Sequence, residues 1–201
     1  DDLQKQLAEF DGQRPPAGGT DRRHALHVVG RARRGKYERM RYEVRRLVVD
    51  DAAQLRALRL RALATDPAAF GSTLERELAF PSSEWEDRLH PGANPHYGGF
   101  GLASQLLGLA VGIPDPDEAG CAELVGMWVD PEARGSGLAV ALVDLVLDWA
   151  AAQSRPRVRL LVTDGNERAL ALYRKLGFVP TGRRIVRERD GMAEIEMTRE
   201  P

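Results

Sequence analysis

The chain holds a single cysteine, Cys121, among its 201 residues. One thiol cannot close an internal disulfide, so burial rather than covalent stapling must hold the fold. An apolar run of about eighteen residues is missing, as is an N-terminal secretory pattern, so no membrane partner is expected and a cytoplasmic location is. Net charge is nearly absent as well, at a formal −1. Nothing in that balance makes nucleic acid the main partner. His24, His27, His90 and His96 form no ligand pattern with Cys121, and no metal is expected. No Gly-Lys-Ser/Thr occurs anywhere, which excludes a P-loop.

What is present is 43% apolar residues, enough for one good core and one domain. The chain is organised around the stretch from Leu124 to Ala152. Leu124–Val129 is apolar, β-branched and aromatic, and Asp130-Pro131 ends it as a strand. Leu138, Leu142, Leu145, Val146 and Trp149 then recur at helical spacing. Between them lies Arg134-Gly135-Ser136-Gly137. Glycines where a helix begins let a ligand approach the backbone, and the first N–H groups and the dipole of that helix favour an anion. Ser136, Leu138 and Ala139 are the main-chain donors expected, with Arg134 adding a positive charge for a phosphate. A turn that only reverses the chain is the other reading of Gly-x-Gly. A dinucleotide fingerprint fails because Val140 stands where Gly or Ala belongs, and five residues separate strand from glycine.

Residues 1–40 differ from the rest. They contain Pro15-Pro16 and Gly18-Gly19, and six basic but no acidic residues between Arg22 and Lys36. This segment reads as a flexible, basic extension preceding a domain at 41–201. An arm of this kind also suits an acidic partner, and such binding would be salt-sensitive.

Along the domain, Tyr42–Val49 reads as a strand, and Asp50 or Asp51 as the cap of a helix carrying Leu55, Leu58, Ala62 and Leu63 on one face. Asp66-Pro67 stops that helix. Ser83-x-x-Glu86 reads as a capping box opening a short helix with Trp85. Tyr97–Ala103 and Leu106–Ile113 form a hairpin, and Arg157–Val162 is a strand parallel to the central one, making a βαβ unit. Asn166 caps a helix with Ala169, Leu170, Tyr173 and Leu176 on one face, which Gly177 ends. Val179–Val186 and Ala193–Thr198 close the chain as a hairpin around Asp190-Gly191. Antiparallel hairpins flanking one βαβ unit make a mixed α/β sheet.

Arg134-Gly135-Ser136-Gly137-Leu138-Ala139 fits the pattern Arg/Gln-x-x-Gly-x-Gly/Ala, and Asn166-Glu-Arg-Ala169-Leu-Ala-Leu-Tyr173-Arg-Lys-Leu-Gly-Phe178 follows about thirty residues on. In these two landmarks the chain resembles the GCN5-related N-acetyltransferase (GNAT) family, over about Tyr42 to Thr198. The resemblance implies a mixed, largely antiparallel sheet with helices on both faces. It implies acetyl-CoA as cosubstrate, with its pyrophosphate on residues 134–139 and its pantetheine arm against the main chain of Met127, Trp128 and Val129. It further implies Asn166 on the coenzyme arm and Tyr173 near its sulfur, with dimers common in the family.

Acyl transfer from a thioester to an amine needs alignment, a deprotonated amine and a route for the departing thiolate. An alkyl amine with a pKa near 10.4 must lose a proton to a base. Glu123, eleven residues before Arg134 on an apolar strand, is the candidate, with Glu75 and Glu77 as alternatives; a glutamate facing solvent is the competing reading. Tyr173 is the candidate proton donor to the thiolate. The resemblance also implies that the segment between the first two strands walls the acceptor site, which makes Phe70, Glu75, Glu77 and Trp85 candidate contacts for a small-molecule or peptide amine; an exposed carboxylate and a core-packed tryptophan are the competing readings. An acetyltransferase acting by direct attack in a ternary complex is the leading expectation, and a non-catalytic acyl-CoA-binding module the alternative.

Overall fold

The computed structural model describes residues 28–30 and 42–200. In chain order the elements are strand β1 (Val28–Gly30), β2 (Tyr42–Arg46), helix α1 (Ala52–Thr65), short helices α2 (Leu74–Leu78) and α3 (Ser82–Asp87), β3 (His96–Phe100), β4 (Leu106–Pro114) and β5 (Cys121–Val129). Helix α4 (Leu138–Ala152), β6 (Arg157–Thr163), α5 (Glu167–Lys175), β7 (Val179–Val186) and β8 (Ala193–Arg199) follow. They form one sheet in the order β1-β2-β3-β4-β5-β6-β8-β7. Neighbours are antiparallel except β5 and β6, which are parallel around the α4 crossover. The mixed, largely antiparallel α/β fold expected from the pattern is what forms. Most of the proposed 1–40 extension lies outside the described residues, yet Val28–Gly30 pairs with β2 and extends the sheet.

Two cores sandwich the sheet. On one face Leu138, Leu142, Val143 and Val146 of α4 join Leu170, Tyr173 and Phe178 against β5, β6 and β8. On the other, Leu55, Leu58, Leu63, Phe70 and Trp85 pack on β3 to β5. Each such aliphatic side chain contributes about 1.5–3 kcal/mol. β4 is covered from both sides and is buried at every position except its last. Helix α4 reaches the sheet closely because β4 carries glycines beneath it. A Cβ on Gly108 would lie 2.9 Å from Leu142 Cδ1, and one on Gly112 2.6 Å from the Trp149 ring.

Two expected helix caps are not made. Asp51 does not cap α1; its carboxylate accepts the Val48 N–H at 2.9 Å and pairs with Arg45 at 2.6 and 2.8 Å. The box at Ser83 and Glu86 does not form either, because α3 starts a residue earlier, behind Pro81, with no side-chain cap. In both places a nearby competing geometry prevails over a weak local signal. No helix among the described residues is long and apolar enough to cross a membrane.

Candidate active site

The sheet opens at β5. Its pairing with β6 covers only Cys121–Arg157, Ala122–Val158 and Glu123–Arg159, while β6 stays paired to β8 as far as Thr163–Glu194. Beyond Glu123 the two strands part, leaving a cleft whose near bank is Leu124–Val129. On its other side β5 bulges. The β4–β5 register steps from Leu109–Trp128 to Val111–Val125, so β5 carries one extra residue, and Gly126 takes it up at φ +62°.

At the far end of β5 the chain turns through Pro131–Ala133 into the glycine loop. Gly135 and Gly137 sit at φ +83° and +92°, conformations that L side chains avoid. Among the described residues, the N–H groups of Gly135, Gly137, Ala139 and Val140 find no protein acceptor. Ser136 and Leu138 differ from the expectation: the Ser136 N–H goes to Ala133 O at 3.3 Å, and Leu138 N–H to Ser136 Oγ at 3.3 Å. Ser136 is buried and its hydroxyl donates to Ala133 O at 2.7 Å, so it braces the turn. The unspent donors are thus set by backbone geometry, and they cluster at the positive end of a 15-residue helix.

Arg134 is not pointing its charge into open solvent. Its Nε donates to Val129 O at 2.9 Å and Nη2 donates to Asp66 Oδ2 at 2.5 Å, the same oxygen that accepts from Trp128 Nε1 at 2.7 Å. Met127, Trp128 and Val129 line the near bank of the cleft through their main chain, with the Trp128 ring buried on the α1 side.

Glu123 closes the narrow end of the cleft and is 4% exposed. Burial pushes its carboxyl above the usual range, against the opposing pull of Arg159. The Arg159 guanidinium contacts Glu123 through Nε at 2.5 Å and more closely through Nη2, and also meets Asp115 at 2.7 Å. Tyr173 projects from α5 into the core under the sheet, its ring 5.6 Å from Phe178. Among the described residues its hydroxyl has no hydrogen-bond partner, and burial pushes the phenol well above its ordinary pKa. Asn166 spends its carbonyl oxygen on the Ala169 N–H at 3.2 Å, capping α5.

A family model described as the acetyltransferase (GNAT) family matches residues 60–178, more than half of the chain. The chain belongs to the GNAT acetyltransferase family. A mycothiol acetyltransferase of Beutenbergia cavernae is 36% identical over 62% of this chain, and a peptidyl-lysine N-acetyltransferase of Escherichia coli 37% identical over 28%. The chain spans 40% and 35% of those two relatives' lengths. Among solved structures, a GNAT acetyltransferase from Streptococcus pneumoniae superposes with a TM-score of 0.65 at 21% identity, covering 79% of this chain and 98% of that one. A ribosomal-protein-S5-alanine acetyltransferase from Vibrio fischeri gives 0.66 at 18%, covering 79% and 92%. At such identities the likeness concerns the fold.

In this GNAT domain three of the four residues expected to touch the acceptor, Phe70, Glu77 and Trp85, are buried. Glu77 is 2% exposed and locked to Arg59 by three hydrogen bonds of 2.8–3.1 Å, which makes it a buried ion pair rather than a free base. Trp85 is 1% exposed, packed against Phe80 and beneath Arg88. Phe70 is buried too, with the Arg59 guanidinium 4.5 Å above its ring. Glu75 alone of the four is exposed. The segment between β2 and β3 thus supplies the second core with Phe70 and Trp85, beside the buried Glu77.

Other contacts fasten the segment after α1 to the far strands. Thr163 Oγ1, at the end of β6, donates to Ala68 O at 2.9 Å, and Arg187 Nη2 donates to the same carbonyl at 3.0 Å. Arg159 and Glu196 face the same side of the sheet, with 3.9 Å between Arg159 Nη1 and Glu196 Oε2. The alternation in RVRLLV places Arg157 and Arg159 opposite the buried Val158 and Leu160, but only the pairing register brings Arg159 to Glu123.

Proposed function

We propose that this domain moves an acetyl group from acetyl-CoA to a primary amine by direct attack in a ternary complex. The observation that carries the reading is the parting of β5 and β6 beyond Glu123, with four unpaired N–H groups on the glycine loop at the end of the same strand. An extended pantetheine arm fits the gap as an added strand, and a diphosphate fits the loop. Met127, Trp128 and Val129 supply the main-chain contacts to the arm, and a β5 N–H faces the thioester carbonyl.

Glu123 takes the proton from the acceptor amine, directly or through water. The amine nitrogen then bonds to the thioester carbon, the C–S bond breaks, Tyr173 protonates the thiolate, and the second proton of the nitrogen leaves through water that restores Tyr173, while Glu123 gives its proton to solvent. Burial keeps this phenol neutral, so its proton is in place, and the same burial makes that proton harder to give up. Alignment of the two reactants can be worth about 7–11 kcal/mol of the barrier. A covalent route through cysteine is disfavoured by Cys121, which is buried, with its thiol pushed up to about 11 by burial and then by Asp115 and Glu118. The relatives' names include both small-molecule and peptidyl acceptors, and we assign this chain's acceptor to the amines of that range.

The Glu123–Arg159 contact favours a second reading, a domain that binds acyl-CoA without turnover, since an arginine-paired carboxylate is a weaker base. A screen of amines with acetyl-CoA, followed by free thiol release, separates the two. Catalysis appears with at least one amine and collapses in Glu123→Gln and Tyr173→Phe. Tight coenzyme binding with no thiol release for any amine sinks the enzyme reading.

A further inference from the structure

Asp66 stands where the chain leaves α1, at φ −129° and ψ 57°. Its Oδ2 gathers two donors from the coenzyme side, Trp128 Nε1 and Arg134 Nη2, while Arg134 also holds Val129 O. These contacts close the corner between the end of β5 and the glycine loop. The residues just after Asp66 are fastened elsewhere, by their backbone carbonyls. Ala68 O is held from β6 by Thr163 and from the β7–β8 turn by Arg187. Arg189 of that turn donates to Ser72 O at 3.2 Å and to Pro67 O at 3.4 Å. Residues 66–72 therefore span the mouth of the cleft, attached to both banks, and Asp66 is the attachment on the coenzyme bank.

We infer that Asp66 is a positioning residue tying the coenzyme loop to the wall of the acceptor site, so that a diphosphate seated on the loop stiffens that wall. The inference rests on the proposed role of the glycine loop as the diphosphate seat. An anion held by the N–H groups of Gly135, Gly137, Ala139 and Val140 fixes the backbone from which Arg134 projects. Arg134 is already pinned at Val129 O and Asp66, so immobilising its main chain leaves its ion pair with Asp66 less freedom to open. That pair is only partly exposed, at 24% and 29% of the two side chains, where a charge-assisted hydrogen bond is stronger than in water. Order at one end of a short, doubly fastened segment lowers the entropic cost of order along it. An acceptor binding after the coenzyme then meets a wall already set.

Amide hydrogen exchange with and without coenzyme A tests this on the full chain. Free coenzyme A slows exchange at Gly135–Val140 and at Ala68–Ser72 in the unaltered protein. Asp66→Asn keeps an oxygen for the Trp128 indole but removes the charge that holds Arg134. In that variant coenzyme A still slows Gly135–Val140, while the slowing at Ala68–Ser72 falls to roughly half or less. Trp128→Phe, which spares the ion pair, retains most of the slowing at both stretches, and it serves as the measurement if Asp66→Asn does not fold. The inference is overturned if Ala68–Ser72 is unaffected by coenzyme A in the unaltered protein while Gly135–Val140 responds. Undiminished slowing at Ala68–Ser72 in Asp66→Asn overturns it equally, as does its loss in Trp128→Phe. Absence of slowing at Gly135–Val140 removes the seat itself, a distinct failure that takes the whole functional reading with it.

Discussion

Glu123 and Arg159 face each other in the last residue pair before β5 and β6 separate, with Arg159 Nε 2.5 Å from Glu123 Oε1. The same guanidinium meets Asp115 at 2.7 Å, so one cation serves a small group of buried acids at the apex of the cleft. Burial holds the Glu123 carboxyl above its usual pKa and Arg159 pulls it back. A raised carboxyl favours the fold while it is protonated, a contribution complete below the ordinary glutamate value and lost as pH climbs through the raised one. Arg159→Met is therefore expected to raise the Glu123 pKa further, moving the acid limb of kcat/KM to higher pH. The variant should also lose about 3 kcal/mol at pH 7, since buried carboxylates are left without a counter-charge, and less near pH 4. Urea unfolding and a pH–rate profile measure both; an acid limb that does not move removes Glu123 from the role of base.

Glu77 has the opposite sign. Burial pushes its carboxyl up, but the hydrogen bonds and charge of Arg59, helped by Ser72, outweigh it and leave the group below its ordinary value. Its stabilisation is present above the ordinary glutamate pKa and fades as pH falls through the lowered one. Glu77→Gln should cost about 3 kcal/mol at pH 7, because Arg59 is left buried and unpaired. The difference from wild type should narrow below pH 4 in denaturant titrations. A loss that stays constant with pH contradicts the ion-pair account.

Tyr173→Phe is expected to lower kcat about a hundredfold, at the weak end of what a positioned proton donor supplies, with coenzyme affinity within a factor of about two. The buried phenol remains protonated through the neutral range, so no basic limb assigned to Tyr173 should appear below about pH 10. Thiol release in the steady state, alongside calorimetry with coenzyme A, gives the two numbers. A variant with unchanged kcat shows that the thiolate leaves unaided.

Gly137→Ala separates the loop from the bulge. At φ +92° an alanine is strained by about 1–2 kcal/mol, and its Cβ would lie 3.2 Å from the Tyr42 hydroxyl. Coenzyme affinity should fall about tenfold, since the strain is relieved by moving the N–H groups that seat the anion. Gly126→Ala carries similar strain at φ +62°, with only Val111 at 3.5 Å, and should lower kcat more than affinity. Equal effects of the two on affinity would show that loop and bulge do not act separately.

The strand, glycine loop and helix from Leu124 to Ala152 were legible because their signals are local. Apolar spacing decides strand or helix within a few residues, and positive φ makes its demand for glycine wherever the turn lies. Asn166 and Gly177 announced the ends of α5 in the same way. Asp51 and Ser83 were misleading for a related reason: a capping residue names a possible partner, and Arg45 or an earlier helix start took the position instead. Asp66 was visible only as part of a helix stop, since both donors to its carboxylate lie more than sixty residues away in sequence.

From Tyr42 onward the sequence by itself determined most strands and helices, where the glycine loop stands, and to which family the pattern points, while Val28–Gly30 became a strand only by pairing with β2. Periodicity and backbone restriction act over one or two turns of chain, and the letters record them directly. Tertiary structure alone decided that Glu77, Phe70 and Trp85 belong to a core, that Glu123 shares Arg159 with Asp115, and that β5 and β6 part after three pairs. Burial and ion pairing depend on which distant side chain arrives, and strand register is a property of two segments at once; neither is written in either segment alone.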